Sequence, residues 1–143
     1  MKKVNIIYWS LGGNVEFLAN KIAETAEKFG AKINTLQVTD ASLNDVIEAD
    51  ALAFGCPAYD SMNIEKKDML PFIESLNKLK KEQTAKDCIL FGTCGWIETT
   101  FMDIWKEKMQ KIGFNVLDTV VIKESPGKGS IELIEKLGER LAK

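Results

Sequence analysis

Histidine is absent from this 143-residue chain, and arginine occurs once, at Arg140. Without histidine there is no Ser-His-Asp or Cys-His catalysis and no imidazole ligand for a metal. A lone arginine near the C-terminus also removes the Cys-x5-Arg loop of a cysteine phosphatase. Cysteine is sparse: Cys56, Cys88 and Cys94 form no C-x-x-C pair. All three fall in or beside expected strand ends, where buried thiols in a reducing compartment are the ordinary outcome. No apolar run reaches the roughly twenty residues of a membrane span. Met1-Lys2-Lys3 leads straight into a strand with no signal-peptide cleavage site. No membrane partner is expected, and a cytoplasmic location is. A basic excess is missing too: the net charge is −2, which argues against a nucleic-acid partner.

What is present is the balance of an ordinary globular domain, 45% hydrophobic and 28% charged, long enough to bury a core without disulfides or metal. No linker, repeat or low-complexity tract divides it, so a single domain over residues 1–143 is expected. Val4 to Trp9 is a continuous apolar run broken only by Asn5, the pattern of a strand covered on both faces of a parallel sheet. Val15, Leu18, Ala19, Ile22, Ala23 and Ala26 then recur at helical spacing across 14–29, and Gly30 closes that helix. A short mixed strand at 32–38 suits a sheet edge. A capped helical turn follows at 42–47, then an apolar strand at 51–56 that suits a central position. Pro57 to Lys67 is a long polar loop. A helix is expected near 70–79 with Pro71 in its first turn, then a strand at 88–92 and a loop at 93–98. Thr99 or Thr100 is expected to cap the next helix, which Gly113 ends. A strand at 115–122 and a last helix from Ser130 complete the chain.

Such alternation folds as a doubly wound α/β sandwich, with a five-stranded parallel sheet, right-handed crossovers and helices on both faces. In the order 2-1-3-4-5 the polar second strand lies at an edge. The ligand crevice then opens at the C-terminal ends of strands one and three, where the order reverses. Three loops meet there. Ser10-Leu11-Gly12-Gly13-Asn14-Val15 joins a strand to a helix N-terminus, so its amides and the helix dipole favour an anion, here a phosphate. Pro57 to Asn63 and Gly92 to Glu98 each place a large aromatic, Tyr59 and Trp96, beside the crevice. Two aromatics facing across a slot would sandwich a flat ring system. Taken singly, a glycine turn is a common βα connection and a Trp or Tyr is packing area. Three loops converging on one crevice are the signal. Strands one and three end in Trp9-Ser10 and Cys56-Pro57, so the acidic cluster of a phosphoacceptor receiver is missing.

At the level of motifs, YWSLGGNVE at 8–16 resembles the YWSGTGNTE phosphate loop of the flavodoxins. GCPAYDSM at 55–62 stands where that family passes the inner face and N5 edge of its flavin, and FGTCGWIE at 91–98 resembles its FGSYGWGD. The resemblance is to the short-chain type, spans essentially the whole chain and implies a flavodoxin-like sandwich. It implies FMN as cofactor. Ser10, Leu11, Gly12, Gly13, Asn14 and Val15 would hold the phosphate through backbone amides and the Ser10 hydroxyl. Pro57 and Ala58 would line the ribose and ring edge, Tyr59 the inner face and Trp96 the outer. The peptide joining Asp60 to Ser61 would lie next to N5. Gly92, Thr93, Cys94 and Gly95 belong with Trp96 to the ring-binding loop, and Glu98 matches an acid near the pyrimidine end. The implied function is low-potential electron transfer rather than catalysis. Its partners would be redox proteins, a reductase and an acceptor, and the chain is expected to be a monomer.

The departures from the family pattern carry information. Gly12 and Val15 replace two threonines whose hydroxyls also reach the phosphate. Each such bond to a charged group contributes about 1.5–3 kcal/mol, so FMN binding is expected to be weaker. This loss motivates an alternative: a flavodoxin-like binding module that has weakened or lost its FMN and holds another ligand or a protein partner. Asp60 stands where the family often has glycine. A non-glycine residue at positive φ costs roughly 1 kcal/mol there.

Overall fold

Side chains of β1 (Lys3–Tyr8) alternate between two separate apolar cores, one on each face of the sheet. Val4 and Ile6 enter one core and Ile7 the other, all with no exposed surface. The continuous apolar run at the start of the chain therefore records burial on both faces. The computed structural model describes residues 1–60, 62–95, 99–123 and 127–143. In chain order the remaining elements are α1 (Asn14–Lys28), β2 (Lys32–Gln37), α2 (Leu43–Ile47), β3 (Ala51–Gly55), α3 (Met69–Ser75), α4 (Lys81–Thr84), β4 (Asp87–Cys94), α5 (Thr100–Ile112), β5 (Asn115–Lys123) and α6 (Lys128–Ala142). The five strands form one sheet in the order β2-β1-β3-β4-β5, and every pairing is parallel.

The same alternation runs through the centre of the sheet. Ala51, Ala53, Ile89 and Phe91 join Val4 and Ile6 beneath α1 and α6. Leu52, Phe54, Cys88 and Leu90 join Ile7 on the opposite face, where Ile73 of α3 and Phe101, Trp105 and Met109 of α5 cover them. Asn5 shares that second face. It is wholly buried, and its Nδ2 donates to the Asp45 carbonyl of α2 at 2.6 Å. β2 is largely exposed, as an edge strand should be.

Several boundaries shift by a residue from the expectations, and four differences matter for the architecture and the site. β1 ends at Tyr8 rather than Trp9, although the Trp9 N–H still donates to the Gly55 carbonyl at 2.9 Å. The helix expected over 70–79 breaks into α3, a 3-10 turn at Leu76–Lys78 and the separate α4. Ser75 Oγ donates back to the Phe72 carbonyl at the break, competing with the helix ladder. Thr99 occupies the N-cap position of α5 without making a side-chain cap bond, and α6 begins at Lys128, two residues ahead of Ser130. The fourth difference concerns the candidate site. β4 holds Gly92 as expected and continues through Thr93 and Cys94, where a loop is expected, because these two pair with Ile122 and Lys123 of β5. Gly92 suits this strand because a Cβ there would lie 2.5 Å from the Cys56 carbonyl oxygen.

Candidate functional site

Three backbone bonds align the C-terminal ends of the central strands. Trp9 N–H donates to Gly55 O at 2.9 Å, Cys56 N–H to Phe91 O at 3.1 Å, and Ala58 N–H to Thr93 O at 2.9 Å. The loops leaving β1, β3 and β4 thus start side by side, at the point where the strand order reverses.

The first of these loops opens α1 by way of Gly13, the N-cap residue, whose φ is 93°. An L-residue in that left-handed region costs about 1–2 kcal/mol, so glycine is the residue that fits. Among the described residues, the amides of Leu11, Gly12, Gly13, Asn14 and Val15 find no acceptor. Ser10 Oγ accepts the Glu16 N–H at 3.3 Å, which leaves the hydroxyl proton of Ser10 to donate elsewhere. A Cβ built on Gly12 or Gly13 meets no atom within 4 Å, so nothing crowds the outer side of the turn. Val15 is 2% exposed and packs in the core under α1, so only its amide is available to a ligand. A cluster of backbone donors at a helix N-terminus suits a phosphate.

The second loop is held by its own hydrogen bonds. Ala58 and Ile64 form an antiparallel bridge, and Tyr59 N–H donates to Asn63 O at 2.8 Å. Asp60 Oδ1 accepts the Met62 N–H at 2.8 Å and Asn63 Nδ2 at 3.2 Å, and its Oδ2 pairs with Lys66 Nζ at 3.5 Å. The Met62 N–H, helped by Asn63 and Lys66, holds the Asp60 carboxyl below the usual carboxylate range. Pro57 and Ala58 are half-buried, whereas the Tyr59 side chain is 60% exposed. An aromatic that far out of the core has a free face for a ligand ring.

Two residues of this loop escape a reading of the sequence. Glu65 is only 6% exposed, and its carboxylate accepts the amides of Lys67, Asp68 and Met69 at 2.8, 2.7 and 2.8 Å. It caps α3 from outside the helix, while the formal N-cap, Asp68, makes no side-chain cap bond. The sequence signal was an acid four residues ahead of an apolar helix start. Lys66, beside it, places Nζ 5.3 Å from the centroid of the Tyr59 ring. No periodicity marks that contact.

The third stretch supplies backbone more than side chains, since Thr93 and Cys94 are 9% and 7% exposed while Gly95 is open. Ser61, Trp96 and Glu98 lie outside the described residues. Cys56 is buried beneath the second loop, where its Sγ accepts the Glu65 N–H at 3.3 Å, and burial pushes its thiol up to about 12. Among the described residues, no group of three His, Cys, Asp or Glu side chains could hold a metal. No helix among them is long and apolar enough to cross a membrane.

These features fit FMN. The amides after β1, unpaired among the described residues, match a phosphate, and the exposed Tyr59 ring at the same rim matches a flat heterocycle. The chain matches the flavodoxin family model over residues 6–137. It is 34% identical over 141 residues to the flavodoxin of Megasphaera elsdenii, covering 98% of each chain. It is 30% identical over 140 residues to the flavodoxin of Clostridium beijerinckii, covering 97% of this chain and 99% of that one. The solution structure of the two-electron reduced Megasphaera elsdenii flavodoxin superposes with a TM-score of 0.87 at 35% identity, covering 97% of this chain and 98% of that one. With the sheet order, the adjoining strand ends and the full-length similarity in agreement, the chain belongs to the flavodoxin family and is an FMN-binding electron-transfer protein.

Proposed function

We propose that this protein is a low-potential carrier whose FMN phosphate rests on the amides of Leu11 to Val15 and on the Ser10 hydroxyl. The observation that carries this reading is the set of amides at the start of α1 that find no acceptor among the described residues, at the same rim as the exposed Tyr59 ring. Tyr59 covers one face of the flavin and Trp96 the other. Pro57 and Ala58 line the ribose and ring edge, and the Asp60–Ser61 peptide lies beside N5. The backbone from Gly92 to Gly95 flanks the ring, and Glu98 stands near its pyrimidine end. When bound, FMN supplies the redox chemistry. The protein binds it, shields its faces from water and sets the cost of the charge it gains on reduction. The carboxylates of Asp60 and Glu98, together with poor solvation between two aromatic rings, disfavour that charge and lower the potential.

The chain acts as a carrier and not as a catalyst. It works as a cytoplasmic monomer and exchanges electrons with a reductase and an acceptor protein. The buried thiols at Cys56 and Cys88 suit a reducing compartment.

Calorimetric titration with FMN and with riboflavin tests the site. Each charge-assisted bond contributes about 1.5–3 kcal/mol, so two or more bonds to the phosphate make FMN bind at least about 100-fold tighter than riboflavin. Equal affinities would remove the phosphate loop from the account.

A further inference from the structure

Lys66 meets the candidate site at two points. Its ammonium lies 5.3 Å from the centroid of the Tyr59 ring and 3.5 Å from Oδ2 of Asp60. The backbone that presents it is well anchored. Glu65, one residue earlier, is held by three amide bonds, and the Ala58–Ile64 bridge ties the two limbs of the loop together. A cation near an aromatic face is attracted by the ring quadrupole and restrains its orientation. The Lys66 side chain is 48% exposed, so its charge is screened by salt without being cancelled.

We infer that Lys66 is a positioning residue that also sets the redox preference of the site. It orients the Tyr59 ring and supplies a positive charge that favours reduced flavin over oxidised flavin. This inference rests on the reading that Tyr59 stacks on the FMN. Uptake of two electrons from a redox partner and one proton from solvent adds one negative charge to the site. The Asp60 carboxylate opposes that charge. Lys66, paired with Asp60 and 5.3 Å from the centroid of the Tyr59 ring, offsets the opposition. One screened charge beside the ring that stacks on the flavin is worth roughly a three- to tenfold preference for the reduced form. That corresponds to about 14–30 mV in the two-electron midpoint potential.

The test measures dissociation constants for oxidised FMN and, anaerobically, for two-electron-reduced FMN, using Lys66→Met, Lys66→Arg and Tyr59→Ala. Lys66→Met keeps most of the aliphatic stem and removes the charge. It should weaken binding of reduced FMN relative to oxidised FMN by three- to tenfold at low salt. The difference should contract in about 1 M salt, where the screening length is about 3 Å. Lys66→Arg should keep the wild-type ratio. A ratio unmoved by Lys66→Met, or a change equal for both redox states and indifferent to salt, would overturn the inference and leave Lys66 as packing. Tyr59→Ala separates the two levels. If it leaves FMN affinity unchanged, the stacking reading fails and this inference fails with it. If it weakens FMN binding while Lys66→Met leaves the ratio unmoved, only the role given to Lys66 is lost.

Discussion

The buried carboxylate of Glu65 accepts the Met69 N–H at 2.8 Å, so one side chain both opens α3 and closes the loop that carries Tyr59. The same carboxylate also accepts the amides of Lys67 and Asp68. Glu65→Ala would leave these donors without their charged acceptor. Hydrogen bonds to charged groups contribute about 1.5–3 kcal/mol each, and water can recover part of the loss at the loop. A net destabilisation of about 2–4 kcal/mol is expected in urea unfolding, with FMN binding weakened as well. Glu65→Gln keeps one acceptor oxygen and should cost less. A loss in the alanine variant within the scatter of surface substitutions, about 0.5 kcal/mol, would show that the cap adds nothing.

Gly13 and Gly12 should respond in opposite directions. Gly13 has φ 93°, yet a Cβ there meets no atom within 4 Å, so the penalty for Gly13→Ala is one of backbone strain alone. It should cost about 1–2 kcal/mol of stability and weaken FMN more than riboflavin, because the turn presents the phosphate donors. Gly12 has the same open space without a positive φ. Gly12→Thr adds a hydroxyl to the turn and should tighten FMN by about 10- to 100-fold if the full bond to the phosphate forms. Calorimetry with both ligands reads each outcome. An equal effect on FMN and riboflavin would contradict the phosphate role.

Burial pushes the thiols of Cys56 and Cys88 up to about 12. An unfolded cysteine titrates near about 8.5, so the native fold favours the neutral thiol. Because the folded value is the raised one, this contribution to stability is complete below the unfolded value and is lost as pH climbs toward 12. Native protein at pH near 8 should therefore resist alkylation at both positions, and mass spectrometry should find both labelled once urea unfolds the chain. Rapid native labelling of Cys88, with no surface exposed, would contradict its placement in the core.

Asp60 titrates in the other direction. The Met62 N–H holds its carboxyl low, with Asn63 and Lys66 contributing. A depressed folded value means stability that is present above the unfolded value, about 3.9, and is lost as pH falls through the folded one. The effect is small because the group is half-exposed. Asp60→Asn should flatten the acid limb of the urea-midpoint profile of the apoprotein. An identical acid limb in wild type and variant would remove Asp60 as its source.

Much of the fold could be read from local pattern. The apolar run from Val4, broken only by Asn5, marked a strand buried on both faces, and the polar β2 marked an edge. The helical spacing from Val15 to Ala26 placed α1, and with it the turn of unpaired amides. These signals survive because each depends on the period of one element and on burial averaged along it. The glycine turn was legible for the same reason: a glycine at a helix start acts within a few residues of itself.

What composition and period could not decide were contacts between distant parts of the chain. β4 continues through Gly92, Thr93 and Cys94 because β5 pairs with it that far, which no property of residues 92–94 dictates. Asn5, polar within an apolar strand, is tolerated because the Asp45 carbonyl of α2 comes within 2.6 Å of it. Glu65 and Lys66 lie in a loop with no periodicity, and their importance comes from where the chain folds back on Cys56 and Tyr59. The sequence by itself determined the layers, the edge strand and the glycine turn ahead of α1, since each follows from short-range sterics and hydrophobic pattern. Tertiary structure alone decided which carboxylate caps α3 and which ammonium meets the Tyr59 ring, because a side-chain contact depends on the position of the whole backbone and not on the residues adjoining it.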